Sequence, residues 1–367
     1  MKFSCSRSDL SEALNNVTRA VAAKTTHPAM EGVLLTAEED NLSLCCYNME
    51  LSIKTYIDAR VHEEGAIVLN AKLFSDIVRR LASDIIEIEC DEKCITKIRG
   101  GAAEYSIIGI DFDEFPEIPT VDEKINFTVK QDVLKSMIDQ TIFAVAVNDF
   151  KPVHTGSKFI IKDHILSVVS VDGFRLAIRQ EPVTYNDELD FIVPGKSLSE
   201  VSKLLDGDGE ILVALSQKHI IFRIGRYDVI SRLLEGDFLD FHSSIPATEN
   251  TVVEVKVRDL LNSIERTSLL INDRLKSPIR LSIGNGEIKI SCSTALGKIN
   301  DSVECEIKGD SVDMGFNNRY LSEALRATEC DKVKIIINSP LAPVKILPLE
   351  GESFLFLVLP VRMKADM

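Results

Sequence analysis

Ala71-Lys72-Leu73-Phe74-Ser75-Asp76-Ile77-Val78-Arg79-Arg80-Leu81 returns later in the chain as Gly195-Lys196-Ser197-Leu198-Ser199-Glu200-Val201-Ser202-Lys203-Leu204-Leu205, and again as Asn318-Arg319-Tyr320-Leu321-Ser322-Glu323-Ala324-Leu325-Arg326. Lys72, Lys196 and Arg319 are 124 and 123 residues apart, so the period divides 367 residues into three. A second helix-like segment keeps nearly the same register, from Asp9-Leu10 through Val21, Asp132-Val133-Leu134 through Val145 and Asp259-Leu260-Leu261 through Ile271. The period is too long for a solenoid unit and matches ordinary domain size, so each copy is expected to own a core. Phe115-Pro116-Glu117-Ile118-Pro119-Thr120 and Ser243-Ser244-Ile245-Pro246-Ala247-Thr248 break the pattern where one copy hands over to the next, which sets expected domains of 1–122, 123–248 and 249–367.

Inside each copy the same elements recur. Val33-Leu34-Leu35 and Leu42-Ser43-Leu44 flank Glu38 to Asn41; Phe159-Ile160-Ile161 and Ile165 to Val168 flank Lys162-Asp163-His164; Ile279 to Ile283 and Glu287 to Ile290 flank Gly284-Asn285-Gly286. All three read as β-hairpins, the last with an Asn-Gly turn that tolerates positive φ. The expected fold class is α+β, three tandem copies of one domain, each made of two strand-helix-strands units with helices on one face and sheets on the other.

Composition limits the function. At 45% apolar and 27% charged, the chain is globular and not fibrous or disordered. The opening MKFSCSRSDL is too polar for a signal peptide, and the longest apolar run, Phe354 to Val361, is far below the roughly 18 residues a membrane span needs. A cytoplasmic protein without a membrane partner is expected. The eight cysteines include no CxxC pair, so neither zinc nor a disulfide framework is indicated. Six scattered histidines show no HExxH, and there is no nucleophile elbow and no Walker A loop. Asp206-Gly207-Asp208-Gly209 and Asp111-Phe112-Asp113 have a metal-like look, but such spacing is common in turns. No catalytic residue, cofactor or metal is expected.

Net charge is −15, which taken alone argues against nucleic acid. The helical segments taken with their flanks, residues 7–24, 72–81, 130–141, 196–205, 256–266 and 319–327, are different: together they carry 15 basic and 9 acidic residues, leaving the remainder of the chain strongly acidic. Six equivalent, mildly basic helices can present one face to a polyanion while the rest repels it.

The three-fold repeat, the order of elements, Val171-Asp172-Gly173-Phe174-Arg175-Leu176-Ala177 in the middle copy and the ending Leu359-Pro360-Val361-Arg362-Met363 together resemble the β subunit of bacterial DNA polymerase III, the DNA sliding-clamp family. The resemblance covers the whole chain. It implies three tandem DNA-clamp domains, a homodimer closed head to tail into a ring around double-stranded DNA, and the role of a processivity factor that catalyses nothing itself. Implied partners are the DNA polymerase III alpha subunit, the clamp loader and other repair and replication factors that dock through a short peptide motif. DNA would be held without sequence preference by Lys24, Arg79, Arg80, Lys135, Lys196, Lys203, Arg258 and Arg326, because phosphates look alike at every register. The matching dimer interface is Tyr105, Ser106 and Ile107 with Leu269 and Leu270.

The resemblance also implies a peptide-binding pocket at Val171, Gly173, Phe174, Arg175, Leu176, Leu275, Asn317, Tyr320, Leu341, Pro343, Leu357, Leu359, Pro360, Val361 and Arg362. This would be an apolar groove with Arg175 and Arg362 at its edge, suited to leucine or phenylalanine anchors. Only one junction between copies is expected to carry the Asp172 to Leu176 turn. His154, Leu239 and Ser243 stand where the family has leucine, proline and arginine, which alters the depth and preference of the pocket. The alternative is a repeat-built interaction scaffold that never encircles DNA.

Overall fold

The computed structural model describes residues 1–23, 25–148, 151–271 and 277–363, and every statement below is about those residues. Lys24 and Leu275, both named above, lie outside them. Six α-helices are described: α1 (Arg7–Val17), α2 (Ala71–Arg80), α3 (Gln131–Asp139), α4 (Gly195–Leu204), α5 (Val257–Ser268) and α6 (Asn318–Arg326). They fall two to a copy.

The quoted repeat is α2, α4 and α6. Phe74, Ile77 and Val78, then Leu198 and Val201, then Leu321, Ala324 and Leu325 are among the buried positions, spaced three and four apart as a half-buried helix requires. Each larger side chain contributes about 1.5 to 3 kcal/mol by leaving water. Side-chain caps start two of these helices: Asn70 Oδ1 accepts the Leu73 N–H at 3.0 Å, and Asn317 Oδ1 accepts the Arg319 N–H at 3.0 Å.

The first helix of each copy stops earlier than its apolar pattern suggests. Threonines 18, 141 and 267 turn their hydroxyls back to the carbonyls of Leu14, Met137 and Ser263, at 2.7, 2.7 and 2.8 Å. Such back-bonding competes with helix continuation. In the first two copies a 3-10 turn follows, Thr18–Ala20 and Ile142–Ala144, and it still buries Ala20 and Ala144. Apolar periodicity recorded that burial and so overran the helix end.

All three expected hairpins form, with Leu35 opposite Leu44, Phe159 opposite Val168 and Leu281 opposite Ile290. The turn residues Glu39, Asp163, His164, Asn285 and Gly286 adopt positive φ. Every ladder is antiparallel.

Two compact units result, residues 1–132 with 200–233, and residues 133–199 with 234–367. The first holds a sheet of twelve strands; α1 and α2 pack on each other, and α1 packs on the sheet. The second holds a sheet of nine strands and another of four, with α5 packed on α6 and on the smaller sheet. Both units take part of the middle copy, because in the first two copies the strand after the first hairpin pairs with the last strand of the next copy. Leu51–Glu63 pairs with Tyr227–Arg232, placing Leu51 opposite Ser231. Arg175–Pro182 pairs with Phe354–Val358, placing Arg175 opposite Val358. The linkers are not bare spacers either: Phe115 is buried in one apolar cluster, and Ile245 packs against another that holds Phe241.

Candidate functional site

The turn Asp172 to Arg175 is built by one carboxylate. Asp172 Oδ1 accepts the backbone N–H of Phe174 at 2.9 Å and of Arg175 at 3.1 Å, an Asx turn that Gly173 closes with φ of 84°. The other oxygen, Oδ2, accepts Arg175 Nε at 2.9 Å, and Arg175 Nη1 donates to Glu323 Oε2 on α6. The guanidinium lies 4.6 Å from the centre of the Tyr320 ring and 5.4 Å from that of Phe143. Phe174 stacks on Tyr320 at 5.7 Å and is 57% exposed.

Next to the turn runs the C-terminal segment. Leu359 donates its N–H to Phe174 O at 2.9 Å, and Val361 donates to Gly315 O at 2.8 Å. A side chain at 315 would meet Val361 O at 2.8 Å, so only glycine lets the segment lie this close. Leu341, Leu359, Val361, Arg362 and Gly173 are exposed; Pro343, Pro360, Asn317 and Tyr320 are half-buried. Beneath them Val171, Leu176 and Leu357 are buried with Phe241 in one cluster. The described part of the expected pocket thus divides into an outer apolar surface and a floor that doubles as core.

One expectation is corrected. Arg175 is not an edge cation: at 6% exposure it is a buried strut spent on Asp172, Glu323 and two rings. The Asp172 to Leu176 residues facing Leu359 stand at this junction, while the backbone shape of their turn recurs elsewhere. Asn48 Oδ1 accepts the N–H of Glu50 at 3.1 Å and of Leu51 at 2.8 Å, with Met49 at φ of 72°, and Thr294 Oγ1 accepts the Leu296 N–H at 3.1 Å. Asn317 caps α6 with its side chain, a structural duty.

Sequence reasoning missed Glu323 and Phe143. Burial, the largest influence on Glu323, pushes its carboxyl up, but the bonds and charge of Arg175 and Arg319 together outweigh it and hold the group below its ordinary range. The signal was in the repeat, where Asp76, Glu200 and Glu323 are equivalent.

The expected DNA-facing residues vary in freedom. Arg79 and Arg80 share Asp76, Lys203 pairs with Glu200 and Arg326 with Glu265, all while exposed. Lys135 is half-buried, whereas Lys196 and Arg258 are exposed. The expected interface residues lie at a sheet edge and a helix end. Tyr105, Ser106 and Ile107 belong to Ala103–Ile108, which pairs only with Ile95–Gly100, and Ile108 beside them is 82% exposed. Leu269 directly follows α5 and is also 82% exposed, with Leu270 half-buried. Gly297–Glu304 is the other edge of note, pairing only with Glu287–Thr294.

This architecture of repeated strand-helix-strands units defines a clamp-type protein. The chain belongs to the DNA polymerase III beta subunit family, whose N-terminal, central and C-terminal domains match residues 1–119, 128–240 and 242–362. It is 32% identical to the beta sliding clamp of Halalkalibacterium halodurans, covering 99% of this chain and 100% of that one. The crystal structure of the Bacillus subtilis DNA polymerase sliding clamp superposes with a TM-score of 0.96 at 30% identity, covering 99% of this chain and 100% of that one. A putative DNA polymerase III beta subunit from Eubacterium rectale gives 0.94 at 35% identity, with 98% and 99% covered.

Proposed function

We propose that the chain is a processivity factor of the replicative DNA polymerase: two copies close head to tail around duplex DNA and tether the polymerase, the clamp loader and repair factors through the surface around Phe174 and Leu359. Its role is topological and not catalytic, and its place is the cytoplasm. DNA contact through Lys196, Arg258 and the paired arginines is weak and salt-dependent, since it neutralises phosphates without reading bases. The observation that carries this reading is a rule of the repeat with two loose ends. The strand after the turn of one copy pairs with the last strand of the next, which leaves Gly297–Glu304 of the third copy and Ala103–Ile108 of the first each unpaired on one side. Unpaired edges invite pairing, and two different edges on one chain make a heterologous, closable contact between copies.

The rule also supplies a register. Gly297 is the third-copy counterpart of Leu51 and Arg175, and Ile107 the first-copy counterpart of Ser231 and Val358. Ile107 of one copy is therefore set opposite Gly297 of the other, and Ser106 opposite Lys298. Oxidation of the double variant Ser106→Cys, Lys298→Cys should yield covalent dimers on non-reducing gels. Loaded on closed circular duplex, the cross-linked ring should survive a high-salt wash yet run off linear DNA. Monomers only, or equal retention on both DNAs, would defeat the ring.

A further inference from the structure

The repeated helix acid is neutralised differently in each copy. Asp76 is met by Arg79 and Arg80 of its own helix. Glu200 is met by Lys203 of its own helix and, at 4.0 Å, by Arg19 of the 3-10 turn after α1. Glu323 is met by Arg319 of its own helix and by Arg175 of the Asp172 turn. Position 143, the counterpart of Arg19, is phenylalanine, and position 175, the counterpart of Leu51, is arginine. Between the two junctions the second cation has moved from the 3-10 turn into the hairpin turn.

The fold does not need this move. Leu51, 5% exposed, occupies the same place in the same Asx turn without any ion pair. What the move adds is a tether: the guanidinium fork holds the turn by Asp172 and α6 by Glu323, and its plane supports the Tyr320 ring on which Phe174 stacks. We propose that Glu323 is a positioning residue for peptide docking, acting through Arg175 to fix the Phe174–Tyr320 wall. This rests on the docking reading above.

The test uses the full-length protein and a fluorescein-labelled nonapeptide containing one leucine and one phenylalanine, read by anisotropy. Glu323→Gln should weaken binding at least fivefold. The double variant Phe143→Arg, Arg175→Leu copies the first junction; it gives Glu323 a cation from the 3-10 turn but unties the hairpin turn. It should keep its unfolding midpoint within a few degrees and lose at least tenfold in affinity. A role in charge compensation alone would be rescued by that relocation, so parent-like affinity in the swap overturns the inference. Should the swap fold poorly, Glu323→Gln decides by itself, with unchanged affinity overturning the inference. A parent that binds no such peptide removes the docking reading and the inference together.

Discussion

The turns Asn48 to Leu51 and Asp172 to Arg175 share a backbone and differ in what they hold. Both are Asx turns with a positive φ at the second residue and a buried side chain at the fourth. Leu51 satisfies burial by being apolar. Arg175 satisfies it only through two carboxylates and two aromatic rings, one of the carboxylates and both rings contributed by other segments of the chain. A repeated fold thus keeps its hydrogen-bonded frame and varies the side chains hung on it, and function enters through the variation.

The largest expected effect is the loss of the buried cation. Arg175→Ala leaves Asp172 and Glu323 short of a partner and should cost about 3 kcal/mol or more, because a buried charge deprived of its partner is heavily penalised. Leu51→Ala at the equivalent position removes only apolar atoms and should cost about 2 to 3 kcal/mol through its cavity. Urea unfolding of both variants checks this, and an Arg175→Ala cost no larger than that of Leu51→Ala would mean that the two turns are energetically alike.

Much of this was legible in the residues. Spacing of apolar positions located all six helices, and alternation with turn residues located the hairpins, because burial on one face leaves a period that any reader can count. Helix ends were not legible: threonines 18, 141 and 267 look like ordinary periodic positions until their hydroxyls are seen returning to a carbonyl. Arg175 was misjudged for a related reason. A sequence marks it as charged and hence exposed, while its burial depends on Glu323, 148 positions away. The second turn, at Asn48, was hidden because Asn48-Met49-Glu50-Leu51 shares no residue with Asp172-Gly173-Phe174-Arg175 and only the oxygen acceptor at its first position is common.

Exchanging the two turn acceptors sharpens the comparison at smaller magnitude. Asp172→Asn keeps the turn, as Asn48 demonstrates, but gives up the charge-assisted bond from Arg175, for an expected loss of about 1 to 2 kcal/mol. Asn48→Asp puts a charge where no such bond is made and should change stability by no more than about 0.5 kcal/mol. Equal costs for the two exchanges, measured by thermal unfolding, would show that the ion pair adds nothing to the turn.

The smallest effect is a dependence on pH. Glu323 has its carboxyl held below its ordinary 4.5, since the bonds and charge of Arg175 and Arg319 outweigh the upward push of burial. A depressed carboxyl contributes stability that is fully present above the unfolded value and is lost as pH falls through the folded one. The difference in urea midpoint between the parent and Glu323→Gln should therefore stay flat from pH 7 down to about 5, then shrink with further acidification. The effect is modest because Arg319, one of the two cations, is exposed and its contribution is screened. A difference that instead shifts in the parent's favour between pH 7 and 6 would mean that burial dominates, that the carboxyl is raised, and that Arg175 is not holding it as an ion pair.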